Sequence, residues 1–147
     1  MDMYFEEFNE KYAEQVLAEG AATKEQIDEC MALVDENNNV TLESALVSKG
    51  VLSPIAAIIY ASKVLGIDFI DLYTFDVNPE AAKLSDKETC LKYCCLPLGK
   101  LFDSNVIVTD CLLYDKAETL RTIFGEDINI KLALRSEILR EIEKQYS

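Results

Sequence analysis

The sequence predicts an α+β fold in two parts. An N-terminal helical subdomain spans residues 1–73 and carries a tandem helix-hairpin repeat. A small α/β sandwich follows over residues 74–147, with a three-stranded sheet and helices on one face. Three observations predict this. Apolar residues recur at helical spacing up to Leu65, with hydroxyl caps and glycine stops between the runs. Gly66 then ends the last helix, and Ile67-Asp68-Phe69-Ile70-Asp71-Leu72 suits a short extended segment docking onto a core. Beyond it, β-branched runs alternate with amphipathic helices.

Taken in order, Phe5, Phe8, Tyr12, Val16 and Leu17 mark a first helix over Phe5–Glu19, which Gly20 stops. Thr23 caps a second helix, and Gln26 three residues later completes a capping box. Asn37-Asn38-Asn39 breaks that helix, because Asn favours turns and left-handed positions. Thr41 caps a third, short helix closed by Gly50. Ser53-Pro54 opens a fourth that runs to Val64, with Ser as cap and Pro in the tolerant first turn.

A shift of 30 residues lays Val16-Leu17-Ala18-Glu19-Gly20-Ala21-Ala22-Thr23 on Leu46-Val47-Ser48-Lys49-Gly50-Val51-Leu52-Ser53. Each copy reads helix, glycine stop, hydroxyl cap, helix. Two copies are too few for a solenoid, so a pair of hairpins packed together is expected.

In the second part, Asn78-Pro79 starts a short helix to Leu84, and Ser85-Asp86-Lys87-Glu88 reads as a second capping box. Cys95–Leu101 reads as a strand, placed at an edge by Pro97. Asp103-Ser104-Asn105 reads as a turn, and Val106–Thr109 as a strand. Tyr114–Phe124 is an amphipathic helix ended by Gly125, and Ile128–Leu132 alternates with period two as a half-buried strand does. The last helix, Ser136–Tyr146, has Ile138, Leu139 and Ile142 as its apolar stripe and Glu137, Arg140, Glu141 and Glu143 on its polar side.

Composition excludes several functions. The net charge is −13, with 14 acidic and 4 basic side chains in residues 1–73 and 13 acidic and 10 basic in residues 74–147. Such a chain repels phosphate backbones and anionic bilayers, so neither nucleic acid nor membrane insertion is expected. The acidic N-terminus lacks the features of a signal peptide, and a cytoplasmic location is expected. There is no histidine, which excludes a Ser-His-Asp triad and removes the commonest general base. The five glycines stand apart, so no phosphate loop can be assembled. The carboxylate pairs, such as Glu6-Glu7 and Asp28-Glu29, fall on polar helix faces rather than in a cleft. Cys90, Cys94, Cys95 and Cys111 could supply four thiolates, but their spacing matches no common zinc or iron–sulfur pattern, and each sits where an apolar residue fits. The expectation is no catalytic residue, no metal and no cofactor.

The order and spacing of several segments resemble a known module. They are Gly50-Val51-Leu52-Ser53, Leu65–Leu72, Val77-Asn78-Pro79-Glu80-Ala81-Ala82-Lys83-Leu84, Cys95-Leu96-Pro97-Leu98-Gly99, Val106–Asp110, Ile123-Phe124-Gly125 and Ile138–Tyr146. Together they resemble the N-terminal domain of type II secretion and type IV pilus assembly ATPases, the GspE N-terminal or MshEN domain. The resemblance implies a non-catalytic protein–protein interaction module. Its partner would be a component of a secretion, pilus or signalling assembly. It also implies an alternative, a sensor for cyclic di-GMP or another small ligand, because some members bind that dinucleotide on the tandem repeat. Those members carry Arg-Leu-Gly nine residues before the repeat's glycine and Gln fourteen after it. Here the first copy has Lys11-Tyr12-Ala13 and Val34, and the second has Thr41-Leu42-Glu43 and Val64. Lys11, Gly20 and Gly50 remain as vestigial ligand positions. On these departures and the acidic charge, the expectation is no cyclic di-GMP binding, or weak binding.

Overall fold

The computed structural model describes residues 3–147 except Phe102, Leu112 and Tyr114. It divides into two compact units, Met1–Gly66 and Ile67–Ser147. The architecture is α+β, as the sequence predicts.

In the first unit, helix α1 (Phe5–Ala18) packs against α3 (Leu42–Ser48) and α4 (Pro54–Leu65), and α2 (Lys24–Met31) packs against α3. The stripe on α1 is buried except at Leu17, which is exposed: Phe8, Tyr12 and Val16 are fully enclosed, and the Phe8 and Tyr12 rings lie 5.5 Å apart. Removing a side chain of this size from water contributes about 1.5–3 kcal/mol. The caps form where the residue types demand them. Thr23 Oγ1 accepts from Gln26 N–H at 3.1 Å, and Gln26 Oε1 accepts from Thr23 N–H at 2.9 Å. Thr41 and Ser53 accept from the N–H groups of Ser44 and Ala56. The Asn run becomes a 3-10 helix, Glu36–Asn38, closed by Asn39 at φ 56°.

The two copies of the repeat end in the same turn. Gly20 N–H donates to Leu17 O and Ala21 N–H to Val16 O; Gly50 N–H donates to Val47 O and Val51 N–H to Leu46 O. This is a Schellman closure, which needs a left-handed residue after the helix. Gly20 and Gly50 supply it at φ 66° and 73°.

The second unit is a three-stranded sheet in the order β1 (Cys95–Leu101), β2 (Ser104–Thr109), β3 (Asn129–Leu132). The hairpin β1–β2 is antiparallel with a bulge between Pro97 and Gly99; β2–β3 is parallel, joined through α6 (Lys116–Phe124). Helices α5 (Lys87–Tyr93) and α7 (Arg135–Gln145) pack on β1, and α7 also on β2. Leu96, Leu98, Val106, Val108, Ile138 and Ile142 centre the core there. Pro97 does sit on an edge strand. The segment after Gly66 docks beside β3: Phe69 bridges Leu132, Ile70 N–H donates to Leu132 O at 2.8 Å, and Leu132 N–H to Asp68 O at 2.9 Å.

Three local readings change. The cap of α5 is Asp86, not Ser85; its Oδ1 accepts from Thr89 N–H at 2.7 Å. A carboxylate at that point also meets the positive end of the helix. Ser85 instead closes the 3-10 helix Pro79–Leu84. Ser104 and Asn105 belong to β2, because the reversal is made by Asp103 at φ 69°, which lets Leu101 pair with Ser104. Glu141, assigned to the polar side of the last helix, is buried at 5% exposure, and Gln145 donates to it. Tyr114, where the sequence reading began the sixth helix, lies outside the described residues.

Candidate functional site

The repeat turns are the first candidate. Gly20 and Gly50 are exposed, and a side chain added at either would meet no neighbour within 4 Å, so their role is set by backbone conformation and not by crowding. Lys11 stands on the exposed side of α1 and forms an ion pair with Glu7 at 3.5 Å. With both side chains about half exposed, that pair is worth at most about 1 kcal/mol and leaves the ammonium group accessible. The residues after Lys11 and Thr41 turn inward: Tyr12 and Leu42 are each fully buried. The Tyr12 hydroxyl donates to Ala57 O at 2.8 Å. Burial raises its pKa, and the half-buried Glu43 carboxylate adds to that rise. Val34 and Val64, standing at the Gln positions of the family pattern, are half-buried.

The cysteines are core residues for the most part. Cys30, Cys90, Cys94 and Cys95 are buried, and Cys111 is half-buried. Among the described residues no group of three or more Cys, Asp or Glu side chains is arranged to hold a metal ion. Burial pushes the Cys94 thiol up to about 12, helped by the Asp110 carboxylate. Asp110 in turn accepts from Lys116 at 2.8 Å and from Arg135 at 3.0 Å. A shallow cavity of about 100 Å³ opens between Leu84, Asn105, Ile107, Ile123, Phe124 and Ile128. Five of its six lining side chains are apolar, and it offers no pair of titratable groups for acid–base work.

One residue with a defined role escaped the sequence reading, and a second, Glu137, was read only as part of a polar helix face. Asn9 is buried, and its Oδ1 accepts from the N–H of Leu42, the first residue of α3, at 2.9 Å. The signal was there: Asn9 falls on the stripe of Phe5, Tyr12 and Val16, where a polar residue needs a partner. Glu137 has one carboxylate oxygen buried without a hydrogen-bond partner. Burial raises its pKa, and the nearby Asp71 carboxylate raises it further.

Comparison with known proteins places this geometry in a family. The family model described as the MshEN domain matches residues 65–147. The chain is 26% identical over 113 residues to the type IV pilus assembly ATPase PilB of Myxococcus xanthus strain DK1622, covering 76% of this chain and 20% of that protein. The chain thus spans about a fifth of that curated relative. Among solved structures, MshE with cdg, cyclic di-GMP, superposes with a TM-score of 0.73 at 18% identity, covering 92% of this chain and 98% of the other. The N-terminal domain of XpsE superposes with a TM-score of 0.67 at 16% identity, covering 95% and 96%.

These matches correct one expectation. Cyclic di-GMP was set aside as a ligand on the loss of the Arg-Leu-Gly and Gln side chains and on the negative charge. The chain instead matches the MshEN model and shares its fold with an MshE structure that contains cyclic di-GMP. The physical reason for the error is that side chains were weighed and the backbone was not. Both repeat turns keep the same hydrogen-bonded closure despite those losses. With more than half of its length matched by that model, the chain belongs to the MshEN domain family.

Proposed function

We propose that this chain acts as a non-catalytic N-terminal module that docks a secretion or pilus ATPase, or a related assembly, onto a protein partner in the cytoplasm and regulates it there. The observation that carries this reading is the MshEN match over residues 65–147, together with the relationship to a pilus assembly ATPase. No helix among the described residues is long and apolar enough to cross a membrane. Exposed apolar side chains on the first unit, Leu17, Met31, Leu33 and Ile55, are available as anchors for such a partner. The test is a pull-down, followed by titration, against the cytoplasmic segments of secretion and pilus inner-membrane components. Binding at micromolar concentration supports the reading, and no partner among them overturns it.

A second reading is favoured by the MshE structure with cyclic di-GMP: the dinucleotide binds the tandem repeat and sets the docking state. In this reading Lys11, Gly20 and Gly50 mark the ligand positions, with the turn backbones and one ammonium group taking over from the missing arginines. Calorimetry with cyclic di-GMP tests it. A dissociation constant below about 10 μM, roughly −7 kcal/mol, that weakens in Lys11→Ala supports the reading. Absence of heat at millimolar ligand overturns it.

A further inference from the structure

Helix α2 is fixed at both ends. The Thr23–Gln26 capping box holds its start. Beyond its end Asp35 bridges Val40, and the Asp35 carboxylate accepts from Asn37 N–H at 3.1 Å and from the Asn38 amide at 2.6 Å. Between these anchors the backbone turns on itself, with Leu33 N–H donating to Cys30 O and Val34 N–H to Met31 O. Cys30 is buried, whereas Met31 and Leu33 stand out at 39% and 43% exposure with Ala32 exposed between them. Carboxylates flank this short apolar run, Asp28 and Glu29 before it and Asp35 and Glu36 after it. The last turn of α2 holds no basic residue, so Asp28 and Glu29 sit at the negative end of the helix, where acids cost stability. Two lysines lie nearby: Lys24, one turn back from Asp28, and Lys49, whose charge reaches Cys30. Residues 1–66 hold 12 acidic and 4 basic side chains, and of the four, Lys11 and Lys63 are already paired with Glu7 and Glu19.

We propose that Met31 and Leu33, flanked by these carboxylates, dock a lysine- or arginine-rich amphipathic segment of a protein partner. The proposal rests on the docking reading and deepens it by naming the surface and the chemistry of the partner. Apolar side chains of the segment cover Met31 and Leu33. Its cations pair with Asp28, Glu29 and Glu36 and meet the carbonyl end of α2. A methionine suits such a surface, because its flexible, polarizable side chain adapts to the shape of the partner. The fixed ends of the run keep the ordering lost on binding small. Charge decides among occupants. A second copy of this chain carries a net −13, and a phosphate backbone or an anionic bilayer is negative as well, so each is repelled. A basic segment is drawn in, and its arrival relieves the repulsion between the acids and the helix end.

The test titrates the whole chain with a labelled peptide of about 18 residues that carries leucine and lysine at helical spacing, and with its glutamate-for-lysine counterpart. The lysine peptide should bind with a Kd of about 10 μM at low salt, and the glutamate peptide should not bind. The double variant Met31→Ser, Leu33→Ser should weaken binding about tenfold, and Asp28→Asn, Glu29→Gln by a similar factor. Glu6→Gln, Glu10→Gln removes the same charge from the exposed side of α1 and should change the Kd less than about twofold. Circular dichroism checks that each variant is folded. Four results would overturn the proposal: equal weakening by the two charge variants, an unchanged Kd in Met31→Ser, Leu33→Ser, no binding at millimolar lysine peptide, or self-association of the chain that this apolar variant abolishes. The two readings fail separately. A captured secretion or pilus component that binds the Met31→Ser, Leu33→Ser chain undiminished ends this proposal and leaves docking standing. Capture of no component, with the lysine peptide still bound at the patch, removes only the assembly assigned to it.

Discussion

Asn9 gives the sharpest test of how the helical unit is held together. Its Oδ1 accepts the N–H of Leu42 at 2.9 Å, and both residues are buried. Leu42 opens α3, so its N–H has no acceptor within the helix, and the Thr41 hydroxyl is already taken by Ser44 N–H. Replacing Asn9 leaves that donor unpaired away from water, which costs about 1–3 kcal/mol. Two variants separate this from lost packing. Asn9→Ala removes volume and acceptor together; Asn9→Leu keeps the volume and removes only the acceptor. If the orphaned donor dominates, both lose about 2 kcal/mol. Tyr12→Phe is the contrast. It also removes a buried hydrogen bond, to Ala57 O, but Ala57 lies inside α4 and its carbonyl keeps the helical N–H of Ala61. Nothing is orphaned, so the loss should stay near ~0.5–1 kcal/mol. Urea unfolding followed by circular dichroism reads the difference: with a slope of about 1–3 kcal/mol per molar, the Asn9 variants should shift the midpoint by roughly 1 M. Equal losses for Tyr12→Phe and Asn9→Leu, or an Asn9→Leu midpoint at the wild-type value, would refute the argument.

Three further outcomes follow from the same reasoning. Gly20→Ala and Gly50→Ala should each cost about 1 kcal/mol and by matching amounts, since both positions are left-handed with open space around them; unequal losses by urea titration would show that the two turns are not equivalent. Asp86→Ala should destabilise the chain by about 1 kcal/mol by removing the cap of α5, whereas Ser85→Ala should be near neutral in the same assay. The folded-state pKa of Glu137 lies above its unfolded value, so the folded chain holds that proton more tightly and loses stability as pH rises through the folded pKa. Glu137→Gln should therefore stabilise the chain near pH 7, with the gain shrinking toward zero at about pH 3, where both states of the wild type are protonated. A gain that is flat with pH would remove burial of that carboxylate as the cause.

Much of this fold was legible because its local signals agree. Thr23 with Gln26, Ser53 with Pro54, and Gly20, Gly50 and Gly66 each mark a helix end by backbone chemistry alone, and the structure places those ends there. What was not legible depends on partners distant in sequence. Ser85-Asp86-Lys87-Glu88 offers two possible caps with similar local chemistry, and the chain uses the second. Glu141 looks like solvent-facing polarity until the packing of α7 buries it. Asn9 finds its donor 33 residues away. The candidate ligand surface misled for a different reason. The lost motif side chains were weighed against a dinucleotide, while the two glycine turns, equally legible in the sequence, were not weighed for it.

The hydrogen bonds between Asp68–Ile70 and Leu132 have a further consequence. Beside a four-residue strand with no neighbour on its far side, backbone groups would stand open to any extended peptide. The short run after Gly66 occupies part of that rim and acts as a stopper. A fragment beginning beyond Leu72 would lack it, and should self-associate by strand addition where the intact chain does not.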